Sequence, residues 1–515
     1  MSTLNAFIDA PPRSERLVLA NAPEGHDAFV LGGLVARAGR TLIHVGRDDG
    51  RMARMRAALG FFYPEIEVRT FPAWDCLPYD RVSPNPEIVS RRIATLAELA
   101  HGDGKPRIVL TTVNAAIQRV PPRKLFAERT LILERGSDMP LDRLKAFLER
   151  NGYNRAETVR EAGEYAVRGG LIDLYPSGAP APLRLDFFGD RLEAIRSFDP
   201  LSQRSAGALE RADLKPMSEV LLDQRVIERF RSRYRQEFGT GVQDDPLYGS
   251  VSAGRRHAGM EHFLPLFYES LDTLFDYLPG TDIVLDHQAE EVRGERIVAI
   301  ADFYNARETA PVTRGVLGAA PVYRPLRPEL LYLGDKDWSE ALANRRVAQL
   351  SPFGAPESVT LFNAGARPGL DFSAARADPN VNLFDVVRQQ LDAEAAAGRR
   401  ALIVAYSTGS AERLKTVMKD HGIAEPVFVE FWQGFIDLPK GHVGLAVLPL
   451  ERGYVAGDAT LVTEQDILGD RLARPARRRT NLDQFVAEIA TLTLGDLVVH
   501  ADHGIGRYDG LVTLE

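Results

Sequence analysis

Two short stretches carry residues that could handle a phosphate, and both lack part of the chemistry. Asn21 to Ala28 reads NAPEGHDA. A phosphate loop needs glycines that let backbone N–H groups wrap the anion, then a lysine and a serine or threonine for phosphate and Mg²⁺. Here Gly25 stands without a lysine or a paired hydroxyl, and Glu24 places a negative charge where phosphate would sit. Gly104-Lys105 runs into Pro106 and lacks the spacing. The second stretch is Asp286-His287, which closes a strand-like run, Asp282 to Leu285. Adjacent strand residues point to opposite faces, so a surface or structural role is expected for this pair rather than joint catalysis.

Other candidates are weaker. Ser407 to Ser410 lies between a strand and a helix start, a place that can hold an anion, but has no lysine. His500 and His503 have no third ligand placed beside them. Cys76 is the single cysteine, which allows neither an internal disulfide nor a multi-cysteine zinc site. Trp74 could stack on a base, although packing at a strand end explains it as well. No catalytic and no metal-binding residue is assigned.

A recognition surface is better signalled. Glu164 to Asp199 reads as three short strands. Gly170 to Tyr175 stops at Pro176, and Pro176 to Pro180 forms a loop. Leu183 to Phe188 alternates, with Leu183, Leu185 and Phe187 on one face and Arg184, Asp186 and Phe188 on the other. Gly189-Asp190 fits a hairpin turn into Arg191 to Phe198. The core face is complete without Phe188. It therefore either covers a neighbouring domain, with Arg184 paired to Asp186, or serves with Arg184 as an interface anchor.

The segment EYAVRGGLIDLYP…LRLDFFGDRLEAIRSFDPLSQRS resembles domain 2 of the transcription-repair coupling factor family Mfd and of the excision-repair helicase UvrB. That resemblance implies UvrA as partner, bound by Arg168, Arg184 and Phe188, which fall on the family's xRGxxxDxxP and xRxxFF patterns. It extends through Phe71 to Arg92, Val462 to Arg474 and Gly495 to Gly510, and so over essentially the whole chain. UvrB has an intact phosphate loop and a long tyrosine-rich hairpin, whereas this sequence resembles Mfd, which lacks them. UvrB's matching acidic strand end is also degenerate here, at Asp286-His287. The segment is then the UvrA-recruiting adaptor of transcription-coupled repair, without catalysis or cofactor of its own. ATP, Mg²⁺ and most DNA contact would belong to a motor beyond it, and RNA polymerase would meet the domain that opens near residue 495. The chain is expected to be a piece of a longer protein. The alternative is a UvrB-like ATP-dependent DNA-opening enzyme.

The elements that position these residues define a multidomain α/β protein. Residues 1–118 read as strands alternating with helices, hence a parallel sheet, the first part of a degenerate P-loop (RecA-like) domain. Its clearest helix is Pro86 to Ala100, with Val89, Ile93, Leu96 and Ala100 on one stripe. Residues 119–208 are the inserted β-rich domain, and 209–325 complete the first domain. Residues 326–356 read as a connector with one short helix. Residues 357–475 read as a separate small α/β domain, with a strand at Val427 to Trp432. Residues 476–494 follow as a basic and helical linker. The final stretch, 495–515, is expected to begin a Tudor/SH3-like β-barrel, with strands at Val498-Val499 and Leu511 to Leu514.

Charge and composition limit the rest. A net charge of −8 and a pI near 5.8 argue against sequence-independent DNA binding by the chain as a whole. The arginine run of Arg471 to Arg479 is the local exception, read as a solvated linker or a nucleic-acid contact. No signal-peptide pattern and no apolar run near membrane-span length is present, so a cytoplasmic protein with no membrane partner is expected.

Overall fold

The computed structural model describes residues 17–102, 104–239, 241–242, 245–309, 314–315, 318–319, 323–354, 361–439 and 441–469, and the strands 497–500 and 504–507. Residues 1–467 form one compact unit, and 468–515 a second.

The chain begins with strands β1 (Leu17–Ala20), β2 (Leu42–Gly46), β3 (Glu67–Phe71) and β4 (Arg107–Thr112). Helices α1 (His26–Ala38), α2 (Asp49–Phe62) and α3 (Pro86–His101) connect them. Asp48 caps α2 by accepting from the Arg51 N–H, and Asn85 caps α3 with Pro86 at its first position. The expected stripe of Val89, Ile93, Leu96 and Ala100 is buried.

The chain then enters an inserted β-rich stretch with a six-stranded and a two-stranded sheet. Its strands are β5 (Leu131–Glu134), β6 (Asn154–Arg155), β7 (Glu164–Arg168), β8 (Leu171–Leu174), β9 (Leu183–Phe188), β10 (Arg191–Phe198), β11 (Ser205–Leu209) and β12 (Arg211–Leu214). Six of them run in the order β11-β10-β9-β8-β7-β6, while β12 pairs with β5. This sheet is fastened to α3. Arg92, fully buried, pairs with Glu219, and Ser177 Oγ donates to the Ser90 carbonyl at 2.7 Å. Trp74 is buried and its Nε1 donates to Glu219 at 3.3 Å, so it packs rather than presenting a stacking face.

After the insertion the chain returns to the first sheet with β13 (Asp282–Leu285), β14 (Val347–Leu350) and β15 (Leu361–Asn363). The order is β15-β1-β14-β13-β2-β4-β3, and every pairing is parallel. The stretch 326–356, expected as a connector, therefore supplies a central strand as well as the helix Asp335–Leu342. That strand is the short run VAQL. A strand buried on both faces needs no alternation to announce it. Ile43, Val45, Val109 and Ile283 fill one side of the sheet, and Leu42, Ile108, Leu110 and Val284 fill the other.

A third sheet contains β16 (Ala366–Pro368), β17 (Arg400–Ala405), β18 (Val427–Phe428), β19 (Gly444–Val447), β20 (Tyr454–Ala456) and β21 (Ala459–Thr463), in the order β16-β20-β21-β17-β19-β18. It is not the separate domain expected. Leu402, Val404, Ala446, Leu448 and Leu461 share one core with α1, α2 and the first sheet, and Trp432 packs among Phe29, Phe61 and Phe62. The strand expected over Val427 to Trp432 is two residues long, and Trp432 opens a short helix, Trp432–Ile436.

In the second unit, β22 (Leu497–His500) and β23 (Gly504–Arg507) form an antiparallel hairpin. Gly504 and Gly506 both lie in β23. The arginine run Arg471 to Arg479, the helix expected at Leu482 to Leu492, His503 and the strand expected at Leu511 to Leu514 lie outside the described residues. Among the described residues, no helix is long and apolar enough to cross a membrane, and no group of three His, Cys, Asp or Glu side chains is arranged to hold a metal ion.

Candidate functional site

The inserted sheet has two unlike faces. Residues directly opposite in antiparallel strands share a face. Val167, Ile172 and Leu185 stand in one row, Tyr165, Leu174 and Leu183 in another, and these rows form the domain core. The other rows face away from it. Arg168 lies opposite Leu171, Leu171 opposite Asp186, and Ala166 opposite Asp173, which lies opposite Arg184. Phe188 follows Asp186 by two residues on β9 and so joins that second face. It is 82% exposed, while Phe187 beside it is buried.

The turns that create this geometry depend on glycine. Gly169 takes φ 61° between β7 and β8. A Cβ on Gly170 would sit 2.7 Å from the Phe187 carbonyl oxygen, the same backbone whose N–H donates to Gly170 O at 2.8 Å. That close approach locks the β7–β8 hairpin against β9.

The two arginines differ. Arg168 is exposed and donates to the Glu157 carbonyl at 2.7 Å and to Thr158 Oγ1 at 3.2 Å, both neutral acceptors. Arg184 is half-buried and grips Asp173 with two parallel bonds, 2.7 and 2.9 Å long, with its guanidinium 4.9 Å from the Phe198 ring centre. The Asp173 bond, more than burial opposes it, raises the Arg184 pKa. Asp186, the partner considered from sequence, is not the one that binds Arg184. Asp173 sits directly across the strand pair, and only the three-strand register reveals it.

The second candidate region lies beyond the carboxyl ends of the parallel strands, where such sheets hold ligands. There Glu24, Asp27 and Asp286 meet Arg47, Arg51 and Arg54. Glu24 pairs with Arg47 and, at 3.0 Å, with Arg54 Nε. Arg51, 1% exposed, pairs with Asp27 and lies 3.2 Å from Asp286 Oδ1, while Arg47 Nη1 lies 3.2 Å from Asp286 Oδ2. Asp27 also accepts from the N–H groups of Gly25 (3.0 Å) and Ala28 (2.6 Å) at the start of α1. The positive end of the helix is thereby occupied by the chain's own carboxylate. Burial raises the Glu24 carboxyl, but Arg51, Arg47 and Arg54 outweigh it and hold it low. Burial pushes Asp27 up to about 6, against the pull of Arg51.

The third sheet closes this cleft. Gly25 has φ 93°, and a Cβ there would sit 2.8 Å from Leu450 and 3.2 Å from Tyr454. Arg54 also reaches Glu451 at 3.7 Å. His287 does not join the cluster; its ring lies edge-on to Phe353, with centroids 5.8 Å apart. Sequence reasoning named Glu24, Gly25 and Asp286 but missed Asp27 and the three arginines. The available signal was Arg51 and Arg54, three apart and so on one face of α2, whereas Arg47 precedes that helix.

The remaining candidates are accounted for locally. Ser407 Oγ caps the helix Thr408–Asp420 by accepting from Ser410 N at 3.2 Å. Cys76 is half-buried, 3.8 Å from His262 Nε2, and burial pushes its thiol up to about 12, far from a thiolate nucleophile.

The comparisons with known proteins meet this geometry at its exposed face. Residues 131–219, which include that sheet, match the UvrB interaction domain, and residues 492–515 match the CarD-like/TRCF RID domain. The chain therefore combines two domain families, one over the inserted sheet and one over residues 492–515. The chain is 30% identical to the transcription-repair-coupling factor of Haemophilus influenzae over 98% of this chain and 43% of that protein. It is 31% identical to the Escherichia coli factor over 95% and 41%, and 30% identical to the Myxococcus xanthus factor over 96% and 42%. Nearly the whole chain is thus similar to transcription-repair-coupling factors, and it spans less than half the length of the curated relatives it matches.

Proposed function

We propose that this chain is the UvrA-recruiting part of a factor that couples transcription to nucleotide excision repair. The observation that carries the reading is Phe188, a large aromatic left 82% exposed on a strand whose alternate residues are buried. Arg168 supplies charge beside it and meets no carboxylate among the described residues. Aromatic and arginine side chains on an exposed patch are the usual anchors of protein interfaces. Arg184 acts partly by holding Asp173 and the strand pair in place.

The first domain is a nucleotide fold that has given up its ligand. Glu24, Asp27 and Asp286 occupy the arginines that a bound anion would require, and Leu450 and Tyr454 cover Gly25. ATP and Mg²⁺ are accordingly no cofactors of this segment, and DNA translocation belongs to the remainder of the longer relatives. The hairpin at residues 497–507 opens a Tudor-like domain that contacts RNA polymerase. The setting is the cytoplasm. A UvrB-like ATP-dependent enzyme is the competing reading, and saturable ATP binding by the chain would favour it.

The test is the affinity of purified UvrA for the chain and for Phe188→Ala and Arg168→Glu, measured by calorimetry. Each variant is expected to bind at least ~30-fold more weakly, about 2 kcal/mol, with an unchanged melting temperature. Wild-type affinity in both variants would remove the assignment.

A further inference from the structure

The surface that carries Phe188 does not end at β9. On β10, Arg191 lies opposite Phe188 and Arg196 opposite Arg184, so both stand on the same face. The register shift between Leu192 and Ala194 preserves this, with Leu192 buried and Ala194 and Arg196 turned outward. Arg196 is exposed and meets no carboxylate among the described residues. Two like charges directly opposite each other are unfavourable. Asp173 neutralises Arg184 and leaves the charge of Arg196 on offer.

Beyond β10 lies the free edge of the sheet, β11. All five of its residues, Ser205 to Leu209, are exposed. None is proline or charged, so the edge lacks the side chains that normally discourage strand addition. Gly207 donates its N–H to Ser197 Oγ at 3.0 Å, and its carbonyl accepts from the same hydroxyl at 3.4 Å. Its backbone therefore faces β10. By strand alternation the N–H and C=O groups of Ala206 and Ala208 face away from the sheet. Leu201, 91% exposed, and Arg204, which meets no carboxylate among the described residues, flank this edge.

We propose that β11 accepts an extended, acidic segment of the docked partner as an added strand, with Arg196 and Arg204 meeting its carboxylates. This rests on the docking role of Arg168 and Phe188 and enlarges it to the sheet edge. Main-chain bonds would give affinity and the flanking arginines the charge preference.

The test compares UvrA binding by the whole chain and its variants. Arg196→Glu is expected to weaken binding roughly tenfold at low salt, with a smaller effect as salt rises. Ala208→Pro removes an outward N–H and no ladder bond, and is expected to weaken binding by about the same factor without that salt dependence. Arg204→Glu serves in place of the proline variant if the latter melts early. Unchanged affinity in Arg196→Glu and in the edge variant, with binding lost in Phe188→Ala, would overturn the strand addition while leaving the docking face. Unchanged affinity in Phe188→Ala as well would overturn both.

Discussion

In the cleft beyond the first sheet, Arg47, Arg51 and Arg54 each meet a carboxylate of their own chain; on the outer face of the inserted sheet, Arg168 and Arg196 meet none among the described residues. The residue type is the same and the outcome is opposite. A buried guanidinium must be paired, because leaving it unpaired in a low-dielectric site is strongly unfavourable. An exposed one can wait for a partner, since water solvates it. The contrast separates a region that holds the fold together from one that offers contact.

The sharpest way to break this contrast is to remove the centre of the buried cluster. Arg51→Ala leaves Asp27 and Asp286 buried with fewer cations, and is expected to cost about 3–5 kcal/mol of stability, read from urea unfolding. Little loss would mean that the cluster is not what closes the cleft.

Acidification acts on the same side of the comparison. Burial pushes His44 and His262 down to about 4, and neither His44 ring nitrogen has a hydrogen-bond partner. Each histidine is neutral in the folded chain and binds a proton on unfolding below about pH 6.5, so stability falls as pH falls through that window. The loss is about 2 kcal/mol for each by about pH 5. Asp27, raised to about 6, works in the opposite direction below that pH and returns about 1 kcal/mol. A melting temperature that drops between about pH 7 and 5, with a shallower drop in His44→Leu, is the expected result.

On the exposed side, Phe188→Ala is expected to change partner affinity by about 2 kcal/mol and stability by under ~0.5 kcal/mol. A large stability loss would place Phe188 with the structural residues instead. The smallest effect belongs to the exposed pair of Arg91 and Glu87 on α3. Glu87→Ala is expected to change stability by ~0.5 kcal/mol or less and binding not at all, since an i,i+4 surface pair is screened by solvent.

Much of this contrast is legible in the amino-acid order. Alternation along Leu183 to Phe188 fixes which side chains are buried, because a strand has a period of two and all six residues behave as that period requires. Glu24 beside Gly25, and the missing lysine, are also read from a few neighbouring residues. The stripe on α3 is likewise a local property of helical spacing.

What the amino-acid order leaves open depends on residues far apart in the chain. Asp173 rather than Asp186 holds Arg184 because β8 pairs with β9 in one particular register. Asp286 reaches Arg47 and Arg51 across more than 200 positions, brought there by the parallel neighbours β13 and β2. The strand within 326–356 and the core shared with the third sheet arise from packing on both faces, which leaves no periodic mark. Local spacing decides which way a side chain points; the identity of what it meets is decided by long-range pairing, where burial makes an unpaired charge intolerable.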